Sequence, residues 1–137
     1  MSYLIDTNVL SELRRKKPEP GVVAWFRERP PSTLFLSVLT LGEIRKGIER
    51  VVERERRAAL LDWLEVELPA FFTGRVLVVD AKVADRWGRL MAAAKHPIPA
   101  IDSLLAATAL HHGLTVITRN ERDFADLGVE VHNPWLG

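Results

Sequence analysis

Four carboxylates lie at positions from which a folded chain could bring them together: Asp6, Glu43, Asp102 and Asp123. Asp6 ends the short apolar run 3–5, and a helical pattern begins directly after it. Asp102 lies in the apolar stretch 99–105, where a carboxylate is costly unless it is capped, paired or bound to a metal. Neighbouring carboxylates raise one another's pKa values unless a cation lies among them. If the fold gathers these side chains, the sequence predicts a cation site.

The composition narrows the kind of cation. Among 137 residues there is no cysteine and there are only four histidines, so thiolate ligands are excluded and oxygen ligands are favoured. Oxygen ligands suit Mg²⁺ or Mn²⁺, and such a site binds phosphate and activates water. The chemistry indicated is hydrolysis of a phosphodiester. The net charge of +1 neither favours nor excludes a nucleic-acid substrate.

Each carboxylate also has a purely structural interpretation. Asp6 and Asp102 could serve only as caps of their helices. Glu43, beside Gly42 on an amphipathic helix, could be a solvated surface residue, and Asp123 lies in a charged turn. The residues taken singly leave these alternatives open.

The predicted elements decide whether the carboxylates meet. Strands are predicted at 3–5, 34–37, 75–79, 115–117 and 129–131. Helices are predicted at 7–14, at 22–29 and at 100–112, the last of them ended by Gly113. A helical hairpin is predicted within 41–68 and stops near Pro69. A further helix is predicted to begin after Asp80, which would cap it. Alternating strands and helices favour a parallel sheet covered on both faces. Strand ends of one sense then share one edge, where all four carboxylates could lie.

A single domain over 1–137 is expected, because the length suits one hydrophobic core and no repeat is visible. The N-terminus lacks a charged leader followed by an apolar stretch, and no apolar run is long enough to cross a bilayer. We therefore expect a cytoplasmic protein with no membrane partner.

Four blocks of the sequence resemble the signature blocks of PIN-domain ribonucleases, above all the VapC and FitB-like toxins of bacterial type II toxin–antitoxin modules. The blocks are 4–8, 41–47, 101–109 and 116–124, in the order and spacing of that family. The resemblance implies a three-layer α/β/α PIN domain with a central parallel sheet of four to five strands.

The resemblance also implies a site for Mg²⁺ or Mn²⁺ made by Asp6, Glu43, Asp102 and Asp123, with either one or two ions. Many relatives have an acid where Asn120 stands, whereas the toxin-like subgroup has asparagine there and an acid at Asp123. Asp123 is therefore the expected fourth acid and Asn120 a polar helper. Other polar side chains are expected to position ligands or water: Thr7, Asn8, Ser37 and Thr118.

The implied activity is that of a metal-dependent endoribonuclease in which activated water attacks the phosphate, leaving a 5′-phosphate and a 3′-hydroxyl. Arg14, Arg15 and Arg45 are expected to attract the RNA backbone. Members of this family usually form homodimers and bind a small VapB-like antitoxin, which we expect on the hairpin 41–68. No motif encodes which RNA is cut.

Two other functions remain open. A catalytically inactive PIN-type module could bind nucleic acid or protein, and an active enzyme could be a housekeeping nuclease rather than a toxin. A phosphatase of the haloacid type would need an acid where Asn8 stands, and a receiver would need a lysine near Arg119.

Overall fold

Five short strands form one parallel sheet in the computed structural model, which describes residues 1–137. They are β1 Tyr3–Ile5, β2 Leu34–Ser37, β3 Val76–Leu77, β4 Thr115–Ile117 and β5 Val131–His132. The strand order is β3-β2-β1-β4-β5. The chain thus winds outward from β1 through β2 to β3 and then crosses to β4 on the other side of β1. The point where the winding direction changes lies between β1 and β4, which is where open α/β sheets bind ligands.

Helices cover both faces of this sheet. They are α1 Thr7–Leu13, α2 Pro20–Arg27, α3 Val38–Ile48, α4 Arg54–Asp62, α5 Leu68–Phe71, α6 Ala81–Ala93, α7 Ala100–His112 and α8 Glu121–Ala125, with a 3₁₀ turn at Pro31–Thr33 and a π-helical segment at Trp63–Glu67. None of them is both long and apolar enough to span a bilayer.

Alternation along the strands separates two apolar cores. Ile5 and Ile117 face the layer of α1 to α5, whereas Leu4 and Val116 face the layer of α7 and α8. The side chains at these four positions are almost completely buried. The three-layer α/β/α architecture predicted from the sequence is confirmed, with five strands.

Two predicted strands were misplaced. The strand predicted at 75–79 covers only Val76–Leu77, because its partner β2 ends at Ser37, which pairs with Leu77 and then caps α3. Residues beyond Leu77 therefore have no neighbouring strand to bond. The last strand lies at Val131–His132 rather than at 129–131, in register with Val116 and Ile117.

Two helix boundaries also differ from prediction. The second helix begins at Pro20, two residues earlier than expected, because proline is tolerated in a first turn that needs no intrahelical N–H donor. The hairpin does not stop near Pro69. The π-helical segment leads into α5, and Pro69 lies in the first turn of that helix, where its missing N–H again costs little. The predicted cap at Asp80 and the left-handed Gly113 (φ 67°) are both observed.

Candidate active site

Asp6 lies at the point where the winding of the sheet changes direction, directly after β1. It is 5% exposed and caps α1, with Oδ1 accepting a hydrogen bond from the Thr7 main-chain N–H at 2.7 Å. Its second oxygen, Oδ2, accepts from the Thr118 hydroxyl at 2.7 Å and from Asn8 Nδ2 at 3.4 Å. Burial raises the pKa of Asp6, and the hydrogen bonds from Thr118 and Thr7 partly offset that rise. Asp6 is therefore the predicted cap and also a buried acid with both oxygens held in place.

Thr118 connects the two halves of the site. It follows β4, is fully buried, and donates to Asp6 while accepting from Asn8 Nδ2 at 3.2 Å and from the Asn120 main-chain N–H at 3.0 Å. Asn8 in turn accepts from the Arg119 main-chain N–H at 3.2 Å. One hydroxyl thus joins the start of α1 to the turn between β4 and α8.

Glu43 reaches the same edge from α3. Its Oε1 accepts from the Thr7 hydroxyl at 2.7 Å, although the two residues are 36 positions apart in sequence. The Glu43 side chain is half-buried, and its charge contributes to the raised pKa of Asp6. The alternative of a freely solvated surface residue is therefore wrong for Glu43.

Asp102 and Asp123 are joined by one amide. Asn120 Nδ2 donates to Asp123 Oδ2 at 2.7 Å and to Asp102 Oδ2 at 3.3 Å. Burial, followed by the charge of Asp6 and a hydrogen bond with Asp123, raises the pKa of Asp102 to about 7. Both candidates for the fourth position, Asp123 and Asn120, therefore contact Asp102.

The acidic cluster, defined as Asp6, Glu43, Asp102 and Asp123, has the donor chemistry of a site for a hard cation. All of its donors are oxygens, and burial together with the charges of Asp6, Asp123 and Glu43 raises the pKa of Asp102, an effect that a cation would offset. No three His, Asp or Glu side chains are arranged to hold one ion directly. The chemistry of the donors, and not a ready coordination geometry, is what suits a hard cation.

The remaining predicted residues lie in other surroundings. Ser37 caps α3, its Oγ accepting from the Leu39 N–H at 3.0 Å, and makes no hydrogen bond to the acidic cluster. Arg14 lies over the Trp63 ring, 5.3 Å from its centroid. Arg15 pairs with Glu12 at 3.3 Å, and Arg45 pairs with two carboxylates, Glu65 at 3.0 Å and Glu49 at 3.8 Å.

Sequence reasoning missed a cation at this edge. Arg119 stands between Thr118 and Asn120, is exposed, and places its guanidinium carbon 5.2 Å from the centroid of the Trp135 ring. The signal in the sequence was its position inside the polar turn 118–124. The partnership with Trp135, sixteen residues later, has no local signature.

The fold and the acidic cluster together define a doubly wound α/β protein with acids placed where the winding reverses. A family model described as the PIN domain matches residues 3–130 of the chain. The VapC ribonuclease Y4jK of Sinorhizobium fredii is 37% identical over 135 residues, which cover 96% of this chain and 96% of that protein. Toxin FitB of Neisseria gonorrhoeae is also 37% identical over 135 residues, with 96% and 97% covered. This chain belongs to the PIN-domain family.

A solved structure agrees with this assignment. The crystal structure of FitAcB from Neisseria gonorrhoeae superposes with a TM-score of 0.93 at 37% identity, covering 97% of this chain and 98% of that one.

Proposed function

We propose that this protein is a metal-dependent endoribonuclease and the toxin of a type II toxin–antitoxin module. The observation that carries the proposal is that four acids from separate segments are linked at the reversal point of the sheet, since Asp6, Glu43 and Asp123 all act on the pKa of Asp102. The relatives named a VapC ribonuclease and toxin FitB support the same activity and role. Residues 1–137 act as one catalytic domain in this proposal.

Asp6 and Asp102 would hold a divalent ion, Mg²⁺ or Mn²⁺, with Glu43 and Asp123 completing the site through waters. When bound, such an ion polarises a phosphoryl oxygen and lowers the pKa of an attached water. The chain's own contribution is to fix the acids before substrate arrives. Asp6 is oriented through both oxygens, and the amide of Asn120 donates to both Asp102 and Asp123.

Proton binding and cation binding are coupled in the acidic cluster. Because the pKa of Asp102 is about 7, this carboxyl is partly protonated near neutrality and hydrogen-bonds with Asp123. A bound cation would favour the ionised form, so ion uptake at neutral pH should release a proton from Asp102. Ion binding should accordingly tighten as the pH rises.

An apolar groove beside the helical hairpin supports the binding of an antitoxin to this chain. The groove is lined by seven apolar residues and one acid, namely Leu10, Leu13, Phe26, Trp63, Leu68, Phe71, Phe72 and Glu67. Phe71 is 38% exposed, and its ring stacks on that of Phe26 at 5.7 Å, so two aromatic rings form part of the groove. An amphipathic helix of a small antitoxin would fit such a groove through its apolar face. A homodimer of this chain is part of the same proposal.

Removal of single acids tests the nuclease activity. We expect Asp6→Asn and Asp102→Asn each to lower Mg²⁺- or Mn²⁺-dependent cleavage of a labelled single-stranded RNA by at least about 100-fold, because each removes a charge from the ion site. Asp62→Asn is the matched control, since Asp62 is exposed and outside the acidic cluster.

The same assay separates the alternatives. Cleavage that continues at the wild-type rate in both Asp6→Asn and Asp102→Asn would contradict the mechanism. RNA binding by the wild type without any cleavage would indicate an inactive binding module. The toxin role is tested separately by growth arrest on induction that co-expression of the neighbouring gene relieves, whereas a housekeeping nuclease would cause no arrest.

A further inference from the structure

We propose that Arg119, supported by Trp135, is the RNA-binding subsite that holds a nucleotide of single-stranded RNA beside the acidic cluster. The proposal rests on the proposed function, because it assigns the path by which the substrate of that site reaches it. Its ligand is a phosphate of the RNA backbone together with the unstacked base of the same or the adjacent nucleotide.

Arg119 is attached through its backbone to the residues that contact the acidic cluster. Its main-chain N–H donates to Asn8 Oδ1, and its neighbours Thr118 and Asn120 contact Asp6, Asp102 and Asp123. Only the side chain of Arg119 leaves this network, and it is exposed. The backbone of Arg119 is therefore fixed to the site while its guanidinium stands at the rim.

The guanidinium of Arg119 is supported by the ring of Trp135. Trp135 belongs to the C-terminal segment, and Asn133 ties that segment to the turn by donating to Glu121 Oε2 at 3.2 Å while accepting from the Trp135 N–H at 2.9 Å. Trp135 itself is half-buried against the core of the α1 to α5 layer. The guanidinium thus lies over an anchored ring, and an arginine plane held in this way is a surface on which an unpaired base stacks.

A positive charge is needed where RNA approaches the acidic cluster. The phosphates of RNA and the four acids of the cluster are all negatively charged, so a nearby cation offsets the repulsion between them. Arg15 and Arg45 are already paired with carboxylates, and Arg14 lies over Trp63 on another part of the surface. Arg119 lies over a neutral ring and forms no ion pair, although its charge acts on the Glu12 carboxylate, so its hydrogen-bond donors are available to a phosphate.

The test measures binding apart from cleavage. A fluorescein-labelled single-stranded RNA of about twelve nucleotides is titrated with the full-length protein in chelator-containing buffer, and Kd is measured by anisotropy at several salt concentrations. We expect Arg119→Ala to weaken binding on the order of tenfold, the size of one stacked base, and to reduce the salt slope by about 0.7, the value of one phosphate contact on a single strand.

Two further variants separate charge from stacking. Arg119→Lys keeps the charge, so the salt slope should stay at the wild-type value while Kd weakens by a few fold. Trp135→Leu keeps an apolar side chain but removes the ring, so we expect a similar weakening with an unchanged salt slope. Thermal melting checks the fold, and if Trp135→Leu is destabilised, the comparison of Arg119→Lys with Arg119→Ala decides the stacking role.

Arg29→Ala is the matched control. Arg29 also lies over a tryptophan, 4.3 Å from the Trp25 ring centroid, but it lies beside the starts of β1 and β4, away from the acidic cluster. Its removal should leave Kd within about twofold of the wild type. If Arg119→Ala changes Kd no more than Arg29→Ala does, the subsite is wrong, even where the wild type cleaves RNA. If binding depends on Arg119 but no RNA is cleaved, the subsite stands and the nuclease proposal fails.

Discussion

The two edges of the sheet each carry an arginine over a tryptophan, yet the two pairs have different surroundings. At the amino edge, beside the starts of β1 and β4, Trp25 is only 7% exposed. Tyr3 meets its ring edge-on at 5.0 Å, His132 stacks at 5.9 Å, and Arg29 covers it from 4.3 Å. Arg29 also donates to the main-chain oxygen of Trp25 at 3.1 Å. This arginine is occupied by its own helix, so the amino edge is a packed surface.

At the carboxyl edge, where β1 and β4 end, the corresponding pair is Arg119 and Trp135. Here the neighbours of the arginine are polar groups that contact the acidic cluster, among them the buried Thr118 hydroxyl, and the guanidinium makes no hydrogen bond to its own backbone. The arginine–tryptophan pair at the amino edge therefore stabilises the fold, whereas the pair at the carboxyl edge remains available to a ligand. The hydrogen-bond partners of the arginine make the difference.

The largest expected contrast between the edges concerns the threonines at the two ends of β4. Thr118→Val removes the hydroxyl that serves Asp6, Asn8 and Asn120, so RNA cleavage should fall by about 10–100-fold. The free energy of unfolding should fall by about 1–3 kcal/mol, because buried polar groups lose their partner. Cleavage assays and denaturant melts measure the two effects.

Thr115→Val is the control at the amino edge, where the hydroxyl donates only to Glu130 at 3.3 Å. It should leave cleavage unchanged, and Thr118→Ser should restore most of the activity. Full cleavage by Thr118→Val would show that the hydroxyl has no part in orienting Asp6.

A second contrast is the response to pH without divalent ions. The pKa of Asp102 is raised from 3.8 to about 7, so between these values the folded state binds more protons than the unfolded state. The free energy of unfolding should therefore fall as the pH rises through this window and level off above it. The pKa of Asp6 is raised as well and acts in the same direction. Tm measured from pH 5 to 8 in chelator should decline, and Asp102→Asn should flatten the decline.

Asp80→Asn serves as the comparison for this titration. A hydrogen bond from the Val83 N–H lowers the pKa of Asp80, so its contribution to stability is present above 3.8 and is lost only as the pH falls through the lowered value. Asp80→Asn should lower Tm evenly between pH 5 and 8 and leave the slope unchanged. A slope that persists in Asp102→Asn would show that other groups cause it.

The smallest expected effect concerns His132, whose ring stacks on that of Trp25 at 5.9 Å. The Nε2 atom of His132 is buried without a hydrogen-bond partner. His132→Phe keeps an aromatic ring against Trp25 and removes the unpartnered atom, so the free energy of unfolding should rise by about 1 kcal/mol. Denaturant melts measure the gain, and RNA cleavage should not change. A loss of stability would mean that the imidazole has a polar partner in solution.

Local patterns in the sequence predicted the strands that position the site. Tyr3–Ile5, Leu34–Ser37 and Thr115–Ile117 were predicted with the bounds that the structure has, because each is a short apolar run ended by a polar or helix-capping residue. The strand predicted at 75–79 was too long, since strand length depends on the partner, and β2 ends at Ser37. The same dependence moved the last strand to Val131–His132.

The sequence by itself determined the donor chemistry of this protein: acids at strand ends and helix starts, no thiolates, and blocks that match the PIN-domain family. Only the tertiary structure decided how those acids are held, because Asp6 and Thr118 are separated by 112 positions and meet only when β1 pairs with β4. The same holds for Asn120, whose one amide reaches both Asp102 and Asp123, and for Arg119, whose ring partner arrives with the C-terminal segment. Residue types fix what a side chain can bind, whereas long-range packing decides whether neighbouring residues already occupy its charge and its hydrogen-bonding groups.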